Sequence, residues 1–196
     1  MKKIGGLLLL IGIGCLLYSF YIEEKQKEDI NQLQSALETI KNTDNLADSE
    51  LIKEEVSSSL NINEADLSDV LTLTIPSINL EAPVLPETTQ ESLDVALTQI
   101  KTNQVPGQAN FTIAGHNSAV YGRHFNRLGE VEKGDVIYLI DEKNEFVYQV
   151  ESKIIIDPQE VEVLNDTPGK REITLITCTL SGTKRIAVKG QLISSK

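Results

Sequence analysis

The chain has 196 residues, a formal net charge of −11 and an aromatic content of only 5%. That length suits a single folded core with an appendage. The acidic balance, with an isoelectric point near 4.7, leaves no broad basic surface for a phosphate backbone and excludes nucleic acid as a partner.

The first stretch is apolar. Ile4 to Ile22 carries no charge and approaches the roughly 20 residues a helix needs to cross the bilayer core. Lys2 and Lys3 precede it and Glu23 and Glu24 follow. The positive-inside bias therefore expects residues 1–22 to be a cytoplasmic tip and single-pass anchor, with the remainder outside the cell. The run exceeds a secretory h-region, and no Ala-x-Ala-like cleavage site follows it, so an uncleaved anchor is expected.

Residues 23–68 are polar, acidic and free of proline, and read as a stalk. Ile30, Leu33, Leu37 and Ile40 share one helical face, while Asn42 to Ser59 reads as a solvated tether. The folded domain is expected over residues 69–196. Leu71 to Leu80 gives two short strands broken at Pro76, with further breaks at Pro83 and Pro86. Thr88 and Glu91 have capping-box spacing, and Leu93, Ala96, Leu97 and Ile100 recur at helical spacing, which predicts a short helix over 89–100.

Pro106 and Gly107 turn the chain into a strand from Asn110 to Ala114, which runs into Gly115-His116-Asn117. Strands follow at Val136 to Ile140 and Phe146 to Ile156. Two more, rich in β-branched residues, flank Ser181-Gly182, with Cys178 near the end of the first and Arg185 opening the second. Many short strands with one clear helix indicate a mainly β fold, a barrel or a sandwich.

Chemistry-bearing residues are scarce. Cys15 lies in the apolar run and Cys178 far along the chain, so a disulfide between them is implausible. A free thiol kept outside the cell points to reactivity. In acyl transfer a thiolate attacks a carbonyl, a histidine protonates the leaving amine and a cation stabilises the oxyanion. Cys178, His116 and Arg185 supply those parts. His116 closes a strand, where loops carry function, whereas His124 lies mid-loop, where a solvated surface residue is expected. Strand parity adds a condition: Cys178 and Arg185 must lie opposite each other, or offset by two, to share a face.

Thr174-Leu175-Ile176-Thr177-Cys178 matches a T-L-x-T-C signature. With Ala114-Gly115-His116 at one strand end and Arg185 at another, the chain from Leu71 to Gln191 resembles the sortase family, the cysteine transpeptidases of Gram-positive cell surfaces. That resemblance implies an eight-stranded β-barrel with one or two short helices. It implies that Cys178 attacks an LPxTG-like sorting signal and forms a thioester, with His116 as general acid and base and Arg185 holding the oxyanion and substrate. An amine of a lipid II-like cell-wall precursor or of a pilin lysine would resolve the thioester. Thr177 and Ala114 would line the substrate groove, and the Thr179 amide would assist the oxyanion.

Two departures refine the expectation. Some relatives bind calcium through acidic residues ahead of the histidine strand, but 101–110 contains no Asp or Glu, so no metal and no other cofactor is expected. Pilin-assembling relatives often carry an Asp-Pro-aromatic lid motif, absent from 23–71, so an open groove and a wall-anchoring role are expected. The competing readings are a cysteine used only for packing, a cysteine L,D-transpeptidase, whose Ser and Gly would precede the cysteine, and a membrane-tethered β-barrel binding module without catalysis.

Overall fold

The computed structural model describes residues 2–43, 45–118, 120 and 122–196, with side chains described from residue 9 onward. The chain forms two compact units, one ending at Val56 and one comprising Ser57–Lys196.

In the N-terminal unit, helix α1 runs from Lys2 to Asn42. Leu10, Leu16, Leu17, Tyr18, Phe20 and Tyr21 are exposed along it. Among the described residues no helix is long and apolar enough to cross a membrane; the side chains of 2–8, which open the apolar run, lie outside the described residues. A second helix, α2, spans Leu46–Leu60, so the segment expected to be a solvated tether is largely helical. The cause is local. Asn45 accepts from the Ala47 N–H at 3.1 Å and Lys53 pairs with Glu50 one turn earlier at 3.0 Å, which caps and supports the helix.

The C-terminal unit is a closed eight-stranded barrel. Its strands are β1 (Leu71–Ile75), β2 (Leu80–Leu85), β3 (Leu97–Gln99), β4 (Asn110–Ala114), β5 (Val136–Ile140), β6 (Glu145–Ile156), β7 (Glu172–Cys178) and β8 (Arg185–Ser195). Around the barrel the order is β1-β2-β3-β4-β7-β8-β6-β5, and β5 closes on β1 through Leu139 opposite Leu73. Two neighbours run parallel, β2 with β3 and β4 with β7. The first is bridged by helix α3 (Gln90–Val95), the second by the long path through β5 and β6, as parallel pairing requires.

Alternation sends one face of each strand inward. Leu73, Ile75, Phe111, Ile113, Ile137, Leu139, Tyr148, Ile173, Leu175 and Val188 fill the interior. The Tyr148 hydroxyl accepts the Gly107 N–H at 2.9 Å inside this core, and burial pushes its phenol up to about 12.

The helix expected over 89–100 is shorter, and its cap is Thr89 rather than Thr88. Thr89 Oγ1 accepts from the Ser92 N–H at 3.0 Å. Thr88 instead donates to the Gln99 carbonyl at 2.7 Å. Leu97 leaves the helix because it pairs with Val84, and Thr98 and Gln99 pair with β4. Pro83, read as a break, lies within β2 opposite Thr72, and the β2–β3 pairing begins only at Val84, so its missing N–H interrupts no ladder there.

Replacing Tyr148 with Phe removes the acceptor and leaves the Gly107 N–H buried without a partner. Tyr148→Phe is expected to cost about 1–2 kcal/mol, read as a lower denaturation midpoint with turnover retained.

Candidate active site

Cys178, Arg185 and His116 converge through strand register. β7 and β8 are antiparallel with Cys178 directly opposite Arg185, which meets the parity condition. The ladder continues one step further, with the Thr179 N–H donating to the Lys184 carbonyl at 3.0 Å. Gly182 then turns the chain at φ +72°, its N–H donating to the Thr179 carbonyl at 2.8 Å. That conformation favours glycine. The connection is therefore a four-residue loop, 180–183, and Leu180 at its tip is 92% exposed. Arg185 Nη1 donates to the Gly182 and Lys184 carbonyls, each at 3.2 Å.

β4 pairs with β7 in parallel, Ala114 opposite Ile176, and the Gly115 N–H extends the ladder to the Ile176 carbonyl at 3.1 Å. His116 thus stands level with Cys178 at the ends of two adjacent strands. A side chain on Gly115 would point into the core, where an ideal Cβ would meet Leu97 and lie 2.8 Å from Phe125. Gly115 therefore faces inward, and alternation turns Ala114 and His116 outward. Asn117 ties the two strand ends together, its Nδ2 donating to the Cys178 carbonyl at 2.8 Å.

Cys178 is a partly exposed free thiol. Ala114, expected in the groove, shares the outer face with Ile176 and is partly exposed. Thr177 does not line that face. It points inward with Ile173 and Leu175, is 2% exposed, and donates to the Gly115 carbonyl at 2.8 Å, so it braces the histidine segment from beneath. The Thr179 amide is engaged by Lys184 and does not point free towards an oxyanion.

Several neighbours were not singled out from sequence. His116 Nε2 lies 3.3 Å from Asp94 Oδ1 on α3, and Gln90 Nε2 donates to the same oxygen at 3.0 Å. His124 is not solvated: it is 9% exposed, with φ +50°, and its ring lies edge-on to His116 at a centroid distance of 6.5 Å. Burial, and then the nearby His116 and Arg123, lower the His124 pKa from 6.5 to about 4. The one sequence signal for Asp94 is its i, i+4 spacing from Gln90 on a capped helix. Nothing in the chain links it to position 116.

The outer face of β4 also holds the β6–β7 connection. Asn110 Nδ2 donates to the Val163 and Asn165 carbonyls, each at 3.2 Å, and its Oδ1 accepts from Thr174 at 2.7 Å. Lys101 Nζ bonds Asp166 at 2.7 Å and the Leu164 carbonyl at 3.2 Å. The Lys101 ammonium and the Asn110 amide hold the Asp166 carboxyl below the usual range. Among the described residues no group of three or more His, Cys, Asp or Glu side chains is placed to hold a metal ion. A cavity of about 500 Å³ lined by Asp69, Leu71, Gln104, Asp141 and Lys143 lies away from this chemistry, since neither Cys178, His116 nor Arg185 lines it.

A cysteine and an arginine opposite each other in a strand ladder, with a histidine at the same level, are the residue types that cysteine acyl-transfer chemistry uses. Comparison with known proteins gives the family. The sortase domain model matches residues 73–193. A sortase A of Bacillus anthracis is 34% identical over 98% of this chain and 91% of its own length, and a sortase A of Listeria monocytogenes is 35% identical over 61% of this chain and 54% of its own. The solved structure of a Listeria monocytogenes sortase A superposes with a TM-score of 0.63 at 33% identity, covering 66% of this chain and 90% of that one. The chain belongs to the sortase family, the cysteine transpeptidases, as its signature and barrel indicated.

His124 makes stability depend on pH. Its folded pKa lies below its unfolded value, so the unfolded chain takes up a proton that the folded chain refuses, and stability falls as pH drops from about 6.5 towards about 4. The loss is expected to reach about 1–3 kcal/mol. Thermal unfolding between pH 7 and pH 4.5 tests this: His124→Asn, whose side chain tolerates the left-handed backbone, should flatten the dependence.

Proposed function

We propose that the protein is a membrane-anchored sortase that cleaves an LPxTG-like sorting signal and joins the released carbonyl to an amine of a cell-wall precursor. The observation that carries this reading is the register, with Cys178 directly opposite Arg185 and level with the end of the strand leading to His116. The Cys178 thiolate attacks the carbonyl carbon between Thr and Gly. Arg185 stabilises the oxyanion of the tetrahedral intermediate. As the C–N bond breaks, His116 gives its proton to the leaving amine, and the acyl group stays on sulfur as a thioester. An incoming amine attacks the thioester, His116 takes up its proton, and the Cys178 thiolate departs.

The anchor in this reading is the charge-free run Ile4 to Ile22. Its support is the Lys2-Lys3 flank and the exposed Leu10, Leu16, Leu17 and Phe20, with α2 and the stalk carrying the catalytic unit outside the cell. A wall-anchoring role, rather than assembly on a pilin lysine, accords with the missing Asp-Pro-aromatic motif and with relatives named sortase A.

The deciding experiment incubates the protein with an LPxTG peptide and an amine, with mass spectrometry of the intact chain. A mass gain on Cys178 equal to the peptide up to its Thr, released on adding amine, is expected. Cys178→Ala should lower turnover at least about 1,000-fold with the fold unchanged. Full turnover by that variant, or no adduct with any sorting peptide, would leave the binding-module reading standing.

Calcium has no part in this reading, because Lys101 brings its own positive charge to Asp166 on the β6–β7 connection. Calcium chelation should leave kcat/KM unchanged, and a loss on chelation that is restored by calcium would contradict the assignment.

A further inference from the structure

His116 meets a carboxylate partner at one ring nitrogen. Nε2 lies 3.3 Å from Asp94 Oδ1, and Gln90 Nε2, itself a donor to that oxygen, lies 3.5 Å from the same ring nitrogen. Gln90 and Asp94 sit one turn apart on α3, so one helical face presents both. The helix is held from both ends. Thr89 caps it at the Ser92 N–H, the Ala96 N–H returns to the Ser92 carbonyl, and Ser92 and Val95 are buried beneath it.

The chemistry of these groups decides the tautomer. An ionised carboxylate only accepts, so the nitrogen facing Asp94 carries a hydrogen. The Gln90 amide nitrogen, 3.5 Å from Nε2, would donate to a bare nitrogen there, but a bare Nε2 would set its lone pair against the Asp94 oxygen at 3.3 Å, so the shorter contact favours hydrogen on Nε2. A neutral imidazole with hydrogen on Nε2 has a bare Nδ1. The His124 ring stands edge-on to the imidazole at a centroid distance of 6.5 Å and an interplanar angle of 89°.

We propose that Asp94 is a positioning residue of this enzyme: it keeps a hydrogen on His116 Nε2 and so makes Nδ1 the nitrogen that exchanges a proton with the substrate amines. This rests on the reading of His116 as general acid and base. As the scissile C–N bond breaks, the Nδ1–H of the imidazolium passes to the leaving nitrogen, and Nε2 keeps its hydrogen on Asp94. When the incoming amine attacks the thioester, Nδ1 takes its proton back. The carboxylate is paired with the imidazolium in both half-reactions and exchanges no proton itself. Without Asp94 either nitrogen would serve, and part of the enzyme would present an N–H where an acceptor is needed.

The test uses the full chain with ¹⁵N-labelled histidine and carries two independent readouts. The two histidines are assigned by comparison with His124→Asn. At alkaline pH the wild type should show His116 protonated on Nε2 with a bare Nδ1, and Asp94→Asn should shift it to a mixture of tautomers. In peptide turnover, Asp94→Asn should lower kcat about 10- to 100-fold with KM within twofold, and Asp94→Glu should recover part of the loss. A helix that merely packed would lose melting temperature without moving the tautomer. The proposal is overturned by wild-type His116 carrying its hydrogen on Nδ1, or by an Asp94→Asn spectrum identical to the wild type. If no peptide is turned over, the transpeptidase reading fails, yet the spectra still decide what Asp94 does. If Asp94→Asn does not fold, the wild-type spectrum and Asp94→Glu decide in its place.

Discussion

The site depends on one parallel pairing, that of β4 with β7. Parallel neighbours in a barrel cannot be joined by a tight turn, so the chain completes β5 and β6 before β7 returns to lie beside β4. That detour brings residue 116 level with residue 178. The pairing is then locked from both faces. Inside, Thr177 donates to the Gly115 carbonyl and the absent side chain of Gly115 admits Leu97 and Phe125. Outside, Asn110 and Thr174 are cross-linked at the far end of the same two strands. For the proposed reaction, this pairing holds level the strand ends that carry the thiol and the imidazole, which is what orientation contributes.

Most of the barrel was legible because its strands alternate. β1, β4 and β5 begin and end where the pattern of apolar residues and prolines places them, and the unpaired faces of β1 and β5 are less buried in the same rhythm. β3 was not legible. Leu93, Ala96, Leu97 and Ile100 satisfy a helical repeat, and three residues are too few to display a period of two. Its identity as a strand comes from Val84 and Ile113, partners distant in sequence. The capping threonine moved by one position for a similar reason: Thr88 has a better use, bonding Thr98 and the Gln99 carbonyl. In sequence α2 looks like a tether because its charges are mostly acidic and its apolar residues sparse, and the Asn45 cap with the Lys53–Glu50 pair outweighs that composition locally.

At the site, the residues that would do chemistry were legible because so few candidates exist, and their register followed from parity. The residues that orient them were not. Asp94 reaches His116 from a helix that connects β2 to β3, and no spacing rule relates the two. Asn117, beside the histidine, reads as an ordinary turn residue until β7 is placed next to it. His124 illustrates the opposite error. Mid-loop position usually means solvent, but the loop folds back, with the Phe125 N–H on the His116 carbonyl, and carries His124 into the barrel end. Burial then removes its charge at neutral pH, which spares His116 a cationic neighbour.

The turn after Cys178 bears on where oxyanion stabilisation comes from in the proposed reaction. The Thr179 N–H closes the ladder onto Lys184, and freeing it would open the turn that fixes Arg185. The guanidinium compensates by its valence. It has five N–H donors in a rigid fork, and both of its bonds to the Gly182 and Lys184 carbonyls use Nη1. Nε and Nη2, with three hydrogens between them, bond no described residue. The short connection therefore anchors one prong of the fork on its own backbone and leaves the other donors for a substrate carbonyl. A lysine at this position would supply the charge without dividing the tasks, so Arg185 is suited to the place by geometry as much as by charge.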